Sequence, residues 1–247
     1  MQFILKLISI PFSIVAYLLF FFYLCIFHVI QVVALRVFGY EAHKKSVDAL
    51  NFFLLSVMYV LFSTAKVDFK AKLPEGKPLI LVANHQGIFD IMTMGWFLRK
   101  CHPKYVSKIE LGKYIPSVSF NLRNGGSVLI DRKDPRQALP ALKRMGEYIQ
   151  SNNRSAIIYP EGTRSRDGRP GTFANNGLKI LCKYAPDALV VPITINNSWR
   201  IFRYGGFPFG MGNRIRLTVH EPLAVKDYDF NTLFEKTEKT ILSALVF

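Results

Sequence analysis

Apolar and polar positions divide the chain into two regimes. No charged residue lies between Lys6 and Arg36, and Ile14 to Phe27 is almost continuously apolar, with Phe20-Phe21-Phe22-Tyr23 at its centre. A bilayer core takes about 20 such residues, so the segment is long enough to cross one. A second uncharged stretch, Ala49 to Ala65, is shorter and less apolar; it follows a loop containing Glu41, His43, Lys44 and Lys45. Two such helices either span as a hairpin or lie in one leaflet. Pro11, Asn51, Ser56 and Ser63 allow an interfacial lodging for part of the region. A secretory signal would need a shorter apolar run and a small-residue cleavage site, so the segment is expected to stay in the mature protein.

From Lys66 the pattern changes to short apolar runs alternating with amphipathic stretches. Val67, Phe69 and Ala71 mark a period-two strand; Pro78 to Ala83, Tyr105 to Ser107, Ser127 to Ile130 and Ser155 to Tyr159 read as further strands. Ile91, Met92, Met94, Trp96, Phe97 and Leu98 predict a mostly buried helix. Asp134-Pro135 has the form of an N-cap with Pro in the first turn, opening a helix whose apolar face is Ala138, Leu139, Leu142, Met145 and Ile149. Leu178 to Tyr184 predicts another helix, Leu189 to Ile195 a strand, Ile215 to Val219 a strand, and 231–246 a last helix. Pro192 places the Leu189 strand at a sheet edge or a bulge. The expected fold is α/β: residues 66–247 form one layered domain with a mixed, largely parallel sheet flanked by helices. Residues 1–65 precede it as a two-helix membrane-anchoring segment.

Composition narrows the partners. With 32 Lys and Arg against 17 Asp and Glu, the net charge is +15 at neutral pH, which favours nucleic acid, a membrane surface or a phosphorylated substrate. No zinc-finger spacing, aromatic RNA-binding signature or basic heptad helix is present, so nucleic acid is set aside. Basic residues sit on both sides of the first apolar segment and after the second, so charge alone does not decide topology; it favours a membrane protein with its catalytic domain on the cytoplasmic face. Cys25, Cys101 and Cys182 have no metal-ligand spacing and read as small apolar fillers in a reduced compartment.

Two stretches carry candidate chemistry. In Asn84-His85-Gln86-Gly87-Ile88-Phe89-Asp90, His85 and Asp90 would lie about 140° apart on an ideal helix. They meet only if His85 is in the strand-to-helix turn and Asp90 in the first helical turn. Asp90 would then accept from Nδ1–H of His85 and leave Nε2 as a base. The alternative is that Asp90 merely caps the helix and His85 is a turn residue. In Tyr159-Pro160-Glu161-Gly162-Thr163-Arg164-Ser165, an apolar run delivers backbone amides, a hydroxyl and a guanidinium to a loop, which suits a phosphate. The alternative there is a solvated turn whose arginines pair with Glu161 and Asp167. Neither a Gly-x-Ser-x-Gly elbow nor a Gly-Lys-Ser/Thr phosphate loop occurs, so a base acting directly on a hydroxyl fits best.

The four motifs, in order from about Val67 to Pro222, resemble those of the glycerophospholipid acyltransferase family, and within it the branch that acts on lysophosphatidate. Asn84 to Asp90 is similar to its His-x-x-x-x-Asp motif, Gly126 to Arg132 to the second, Tyr159 to Ser165 to the third and Val191-Pro192-Ile193 to the fourth. The resemblance implies a phospholipid-synthesis enzyme that transfers an acyl group from acyl-CoA or acyl-carrier protein to the 2-hydroxyl of 1-acyl-glycerol 3-phosphate, giving phosphatidate. His85 would be the base and Asp90 its orienting partner. Arg132, Glu161, Gly162, Thr163 and Arg164 would form the acceptor and phosphate region. Lys108 resembles a family lysine near the active site, with a plain surface lysine as the alternative. The partners implied are the phospholipid membrane, lysophosphatidate and the acyl donor, and no metal or organic cofactor is implied. Two departures stand out: Gly87 where many members carry Ser, and Phe173-Ala174-Asn175-Asn176-Gly177 where the family has Phe-Lys-x-Gly. The competing expectations are a family member acting on another lysolipid, and a non-enzymatic membrane protein whose arginine loop binds anionic lipid.

Overall fold

The computed structural model describes residues 2–246. Two long helices come first, α1 (Gln2–Phe38) and α2 (Tyr40–Val60), joined at Gly39, whose φ of +80° is a left-handed turn that a side chain would resist. The expected loop around Glu41 to Lys45 is instead the first turns of α2. Its charged residues are accommodated because His43 and Lys44 face protein groups, Lys44 pairing with Asp48 one turn on.

Then follow β1 (Thr64–Phe69), β2 (Leu79–Ala83), α3 (Phe89–Phe97), β3 (Pro103–Lys108), α4 (Val118–Asn124), β4 (Val128–Ile130), α5 (Pro135–Asn152) and β5 (Ser155–Ile158). The chain closes with α6 (Asn176–Tyr184), β6 (Leu189–Asn196), β7 (Arg214–Val219), β8 (Leu223–Ala224) and α7 (Phe230–Ser243). The sheet runs β1-β7-β6-β2-β5-β3-β4, with β8 also on β6. Every pairing is parallel except β6 with β7 and β6 with β8. Helices cover both faces, with one apolar core under α2 and α3 and another under α5, α6 and α7.

The central strands are the most apolar. All five residues of β2 and all four of β5 are buried, as expected of parallel strands covered on both faces. Their carboxyl ends, with those of β3 and β4, form one rim, where ligands of open parallel sheets bind.

Three local expectations are corrected. Pro192 lies in β6, which is an interior strand between β7 and β2. Leu189 donates toward the β2 side, so the position of Pro192 faces the other side, where pairing changes from β8 (through Val190) to β7 (from Ile193) and no N–H is needed. Leu139 is 48% exposed, and Ala141 takes its place on the buried face of α5. Strand β1 begins at Thr64 and ends at Phe69, ahead of Ala71 and starting before the expected boundary at 65/66. Asp134 does cap α5, accepting from the backbone of Arg136 and Gln137, and Pro135 is its first residue. Cys25, Cys101 and Cys182 are unpaired.

Helix α1 is long and apolar enough to cross a bilayer. One stripe of it is nevertheless buried in the protein: Ser9, Ser13, Ala16, Leu24, Phe27, Gln31 and Ala34 recur at helical spacing. Ser13 Oγ accepts from the backbone of Phe209, Tyr17 stacks on Phe209 at 4.4 Å, and His28 Nδ1 accepts from the backbone of Ser117. The opposite face, including Leu18, Phe21, Phe22 and Val29, is open.

Candidate active site

The turn between β2 and α3 is held by Asn84 and Asp90. Asn84 is buried and its amide completes strand pairing by proxy, donating to Ile195 O at 2.9 Å and accepting from Ile195 N at 2.7 Å. The chain thus leaves β2 with its last polar groups satisfied and turns at His85. Helix α3 begins only at Phe89, so His85 is in the turn and Asp90 in the first helical turn, which is the condition for the pair to meet.

They meet at 2.8 Å, His85 Nδ1 to Asp90 Oδ2. The same oxygen accepts from the backbone of Gln86 at 2.6 Å and Gly87 at 2.9 Å. Asp90 therefore braces the turn and orients the imidazole together, rather than one or the other. An ionised acceptor on Nδ1 fixes the Nδ1–H tautomer and leaves the Nε2 lone pair for chemistry. The Asp90 side chain is fully buried while that of His85 is 12% exposed. The ring lies on Tyr159 at 4.1 Å between centroids and 19° between planes, so one face is covered by the residue that follows β5. Burial raises the Tyr159 phenol well above its usual pKa, so it stays neutral.

The β5 loop is tied to this turn through main chain. Glu161 Oε1 accepts from His85 N at 2.8 Å and Oε2 from Gly171 N at 2.8 Å, while Ser165 N donates to His85 O at 2.8 Å. Burial pushes the Glu161 carboxyl above its usual pKa, and the two backbone hydrogen bonds and the nearby imidazole pull the other way. Both carboxylate oxygens are thus engaged inside the protein, not turned toward a ligand. Gly162 has φ +69°, which only glycine adopts without strain, and Arg132 Nη1 lies 3.5 Å from where a Cβ would stand. Arg132, from the end of β4, is thereby brought beside the loop. Thr163 and Arg164 are exposed.

Lys108 ends β3 on the same rim, but it is exposed and paired with Glu110 at 3.0 Å. A backbone hydrogen bond of its own, then the Lys108 contact and, more weakly, the charge of Arg132 hold the Glu110 carboxyl below the usual range. The structure therefore brings His85, Asp90, Glu161, Gly162 and Arg132 together, leaves Thr163 and Arg164 free at the loop surface, and gives Lys108 a carboxylate partner.

Sequence reasoning passed over four residues here. In sequence Asn84 is merely the first residue of its stretch and Tyr159 the last of an apolar run, yet Asn84 pairs with Ile195 and Tyr159 covers the imidazole. Gln86 is buried and bridges two loops, accepting from Ser198 N at 3.1 Å and donating to Gly168 O at 3.2 Å. Ser198 lies against Gly87: a Cβ there would stand 2.9 Å from Ser198 Oγ and 3.1 Å from the Phe202 ring. The available signal was weak, a polar side chain directly after an apolar strand; the partner segment at 197–202 is more than a hundred residues away.

A family model described as Acyltransferase matches residues 64–196, over half of the chain. It covers the first three expected motifs and the Val191-Pro192-Ile193 strand, and ends short of Pro222. Among curated relatives, the Arabidopsis thaliana protein named 1-acyl-sn-glycerol-3-phosphate acyltransferase LPAT1, chloroplastic, is 33% identical over 146 residues, 59% of this chain and 39% of the relative. The 1-acyl-sn-glycerol-3-phosphate acyltransferase of Helicobacter pylori is 33% identical over 126 residues, 50% of each chain. That of Saccharomyces cerevisiae is 34% identical over 166 residues, 66% of this chain and 53% of the relative. The aligned part thus spans half or less of the first relatives' own length. Among solved structures, the 1-acyl-sn-glycerophosphate acyltransferase PlsC of Thermotoga maritima superposes with a TM-score of 0.79 over 99% of this chain and 98% of that one, at 24% identity, a likeness of fold.

Proposed function

Since the chain belongs to the acyltransferase family, we propose that it acylates the 2-hydroxyl of 1-acyl-glycerol 3-phosphate, taking the acyl group from acyl-CoA or acyl-carrier protein and releasing phosphatidate. The observation that carries the reading is the 2.8 Å contact of Asp90 with His85 Nδ1, which leaves Nε2 as a base at the mouth of the site. Nε2 takes the hydroxyl proton as the oxygen attacks the thioester carbonyl. The C–S bond then breaks, and the thiolate recovers the proton from the imidazolium. Asp90 stabilises the imidazolium between the two steps.

In this reading the acceptor phosphate sits at the rim formed by β4 and the β5 loop. Arg164, with no acidic partner among the described residues, and Arg132 supply charge, and Gly162 and Thr163 supply amide and hydroxyl donors. Lys108 takes part only by leaving Glu110. Glu161 holds the loop to His85.

The lipid substrate is reached through α1. Its hydrogen bonds with the α/β domain run from Ser13 to His28, about 22 Å of helix at 1.5 Å per residue, against a bilayer core of about 30 Å. A helix flanked by the catalytic domain over that length favours lying in one leaflet with the open face of Leu18, Phe21 and Phe22 in lipid. The basic surface then meets anionic headgroups on the cytoplasmic side.

Purified protein given lysophosphatidate and other lysolipids with labelled acyl-CoA or acyl-carrier protein tests the assignment, with His85→Ala as control. Lysophosphatidate is expected to be the best acceptor. If it is the poorest, the acceptor is a different lysolipid. If lipid binding survives His85→Ala unchanged and no acyl transfer occurs in either protein, the enzyme reading fails.

A further inference from the structure

Away from the candidate active site, α2, α3, β3 and the Ser127 turn enclose a cavity of ≈ 20 Å³. Its walls include His43, Lys44, Asp48, Asn51, Lys104 and Ser127. One water-sized occupant needs roughly 10–15 Å³, so there is room for a water or a monatomic ion, not for a tetrahedral oxyanion.

The walls are rich in donors and carry one uncompensated charge. Lys44 is matched by Asp48 and also donates to Arg99 O. Lys104 is 6% exposed, and its ammonium makes no ion pair or hydrogen bond among the described residues; it lies over the Tyr40 ring at 5.1 Å, with the Asp48 and Glu41 carboxylates favouring its charge from beyond ion-pair distance. His43, 1% exposed, has Nε2 buried without a partner. Ser127 Oγ already accepts from Tyr105 N, which leaves its O–H to donate.

The surrounding charges do not remedy this. Arg154, just before β5, adds another positive charge and stacks on Tyr40 and Tyr148; Asp48, then Glu41, offset these charges only in part. Burial, then Arg154 and Lys44, pull Lys104 down to about 7. Burial, then Lys104, pull His102 down to about 3 and hold His43 below its usual value, so both imidazoles stay neutral. A largely buried lysine without an ion pair is costly for a core to hold.

We infer that this cavity is a binding site for one monatomic anion of the chloride class, held by Lys104, His43 Nε2–H and Ser127 O–H, which neutralises Lys104 and ties α2 to the catalytic sheet. A water fills the same space but leaves the charge standing. The anion binds the folded protein alone, so it stabilises by mass action.

The test uses the full chain in detergent and does not depend on catalysis. At about pH 6, Tm is measured against bromide or chloride with gluconate holding ionic strength constant. Wild type should show a saturating rise of a few degrees, absent in Lys104→Met. Crystals grown in bromide should show an anomalous peak in the cavity; this needs no variant. A halide response that is missing, or equal in wild type and Lys104→Met, overturns the inference. So does a cavity that holds only water in bromide.

Discussion

The backbone N–H of His85 donates to Glu161 Oε1 at 2.8 Å, and the other oxygen of that carboxylate holds Gly171. One side chain from the β5 loop therefore fixes where the turn carrying His85 sits, without touching the imidazole. Removing it leaves two amides without acceptors, at about 1–3 kcal/mol each when buried. Glu161→Ala is expected to lower kcat by about tenfold or more with little change in KM for lysophosphatidate. Glu161→Gln should not rescue, because its NH2 would face one of the two amides. A rise in KM with kcat preserved would instead make Glu161 a substrate ligand.

Asp90 offers a way to separate bracing from orientation. Asn caps a turn about as well as Asp, and its carbonyl can still accept from Gln86 N and Gly87 N. It cannot supply the negative charge that His85 Nδ1 meets at 2.8 Å. Asp90→Asn is expected to fold with Tm near wild type and lose about 10²- to 10⁴-fold in kcat, close to His85→Ala. Activity within a few-fold of wild type would reduce Asp90 to a turn brace.

Gly87 has an explanation in the turn that follows β6. Any side chain there meets Ser198 Oγ at 2.9 Å and Phe202 at 3.1 Å, and the short turn Ser198–Phe202 that carries both is tied down by the N–H of Ser198 donating to Gln86. Gly87→Ser is expected to cost about 1–3 kcal/mol by overpacking, read as a fall in Tm of several degrees. Adding Ser198→Ala should recover part of it. If the double variant is no more stable than Gly87→Ser alone, the contact is not what excludes a side chain.

The apolar runs at Leu79 to Ala83 and Ser155 to Ile158 were legible because strands buried on both faces are written as continuous hydrophobic residues. Asp134-Pro135 was legible because a cap and its helix are local. Pro192 misled, since a proline in a strand marks an edge unless two partners change over beside it, and that changeover is set by β7 and β8. The helical start of α2 was hidden for a similar reason: Glu41, His43, Lys44 and Lys45 read as loop, whereas Lys44 finds Asp48 and Arg99 O and His43 is buried among neighbours from other elements. In the site, residue types announced His85 and Asp90, but the roles of Glu161 and Gln86 lie in hydrogen bonds spanning 76 and 112 residues, which no spacing rule reports.

Asn84 tests how far the turn depends on its neighbour strand. Its amide supplies both an acceptor and a donor to Ile195, so Asn84→Ala leaves a buried N–H and a buried C=O unpaired. The expected loss is about 2–4 kcal/mol, with a lower Tm in detergent. Asn84→Asp keeps the acceptor only and should fall between. Equal Tm for wild type and Asn84→Ala would mean that water replaces the amide.

Lys104 gives the stability a predictable pH dependence. Its pKa is 10.5 in the unfolded chain and about 7 in the fold. Between those values the unfolded chain binds more protons, so stability rises as pH increases through the window and the penalty is fully present below it. In halide-free buffer the Tm of wild type should therefore climb relative to Lys104→Met from about pH 7 to about pH 10. At this chain length about 2–4 °C corresponds to 1 kcal/mol. Other groups that titrate there, such as Cys101, whose pKa burial raises, are common to both proteins and cancel in the difference. Parallel Tm curves across the window would show that Lys104 carries the same charge in the folded and unfolded chain.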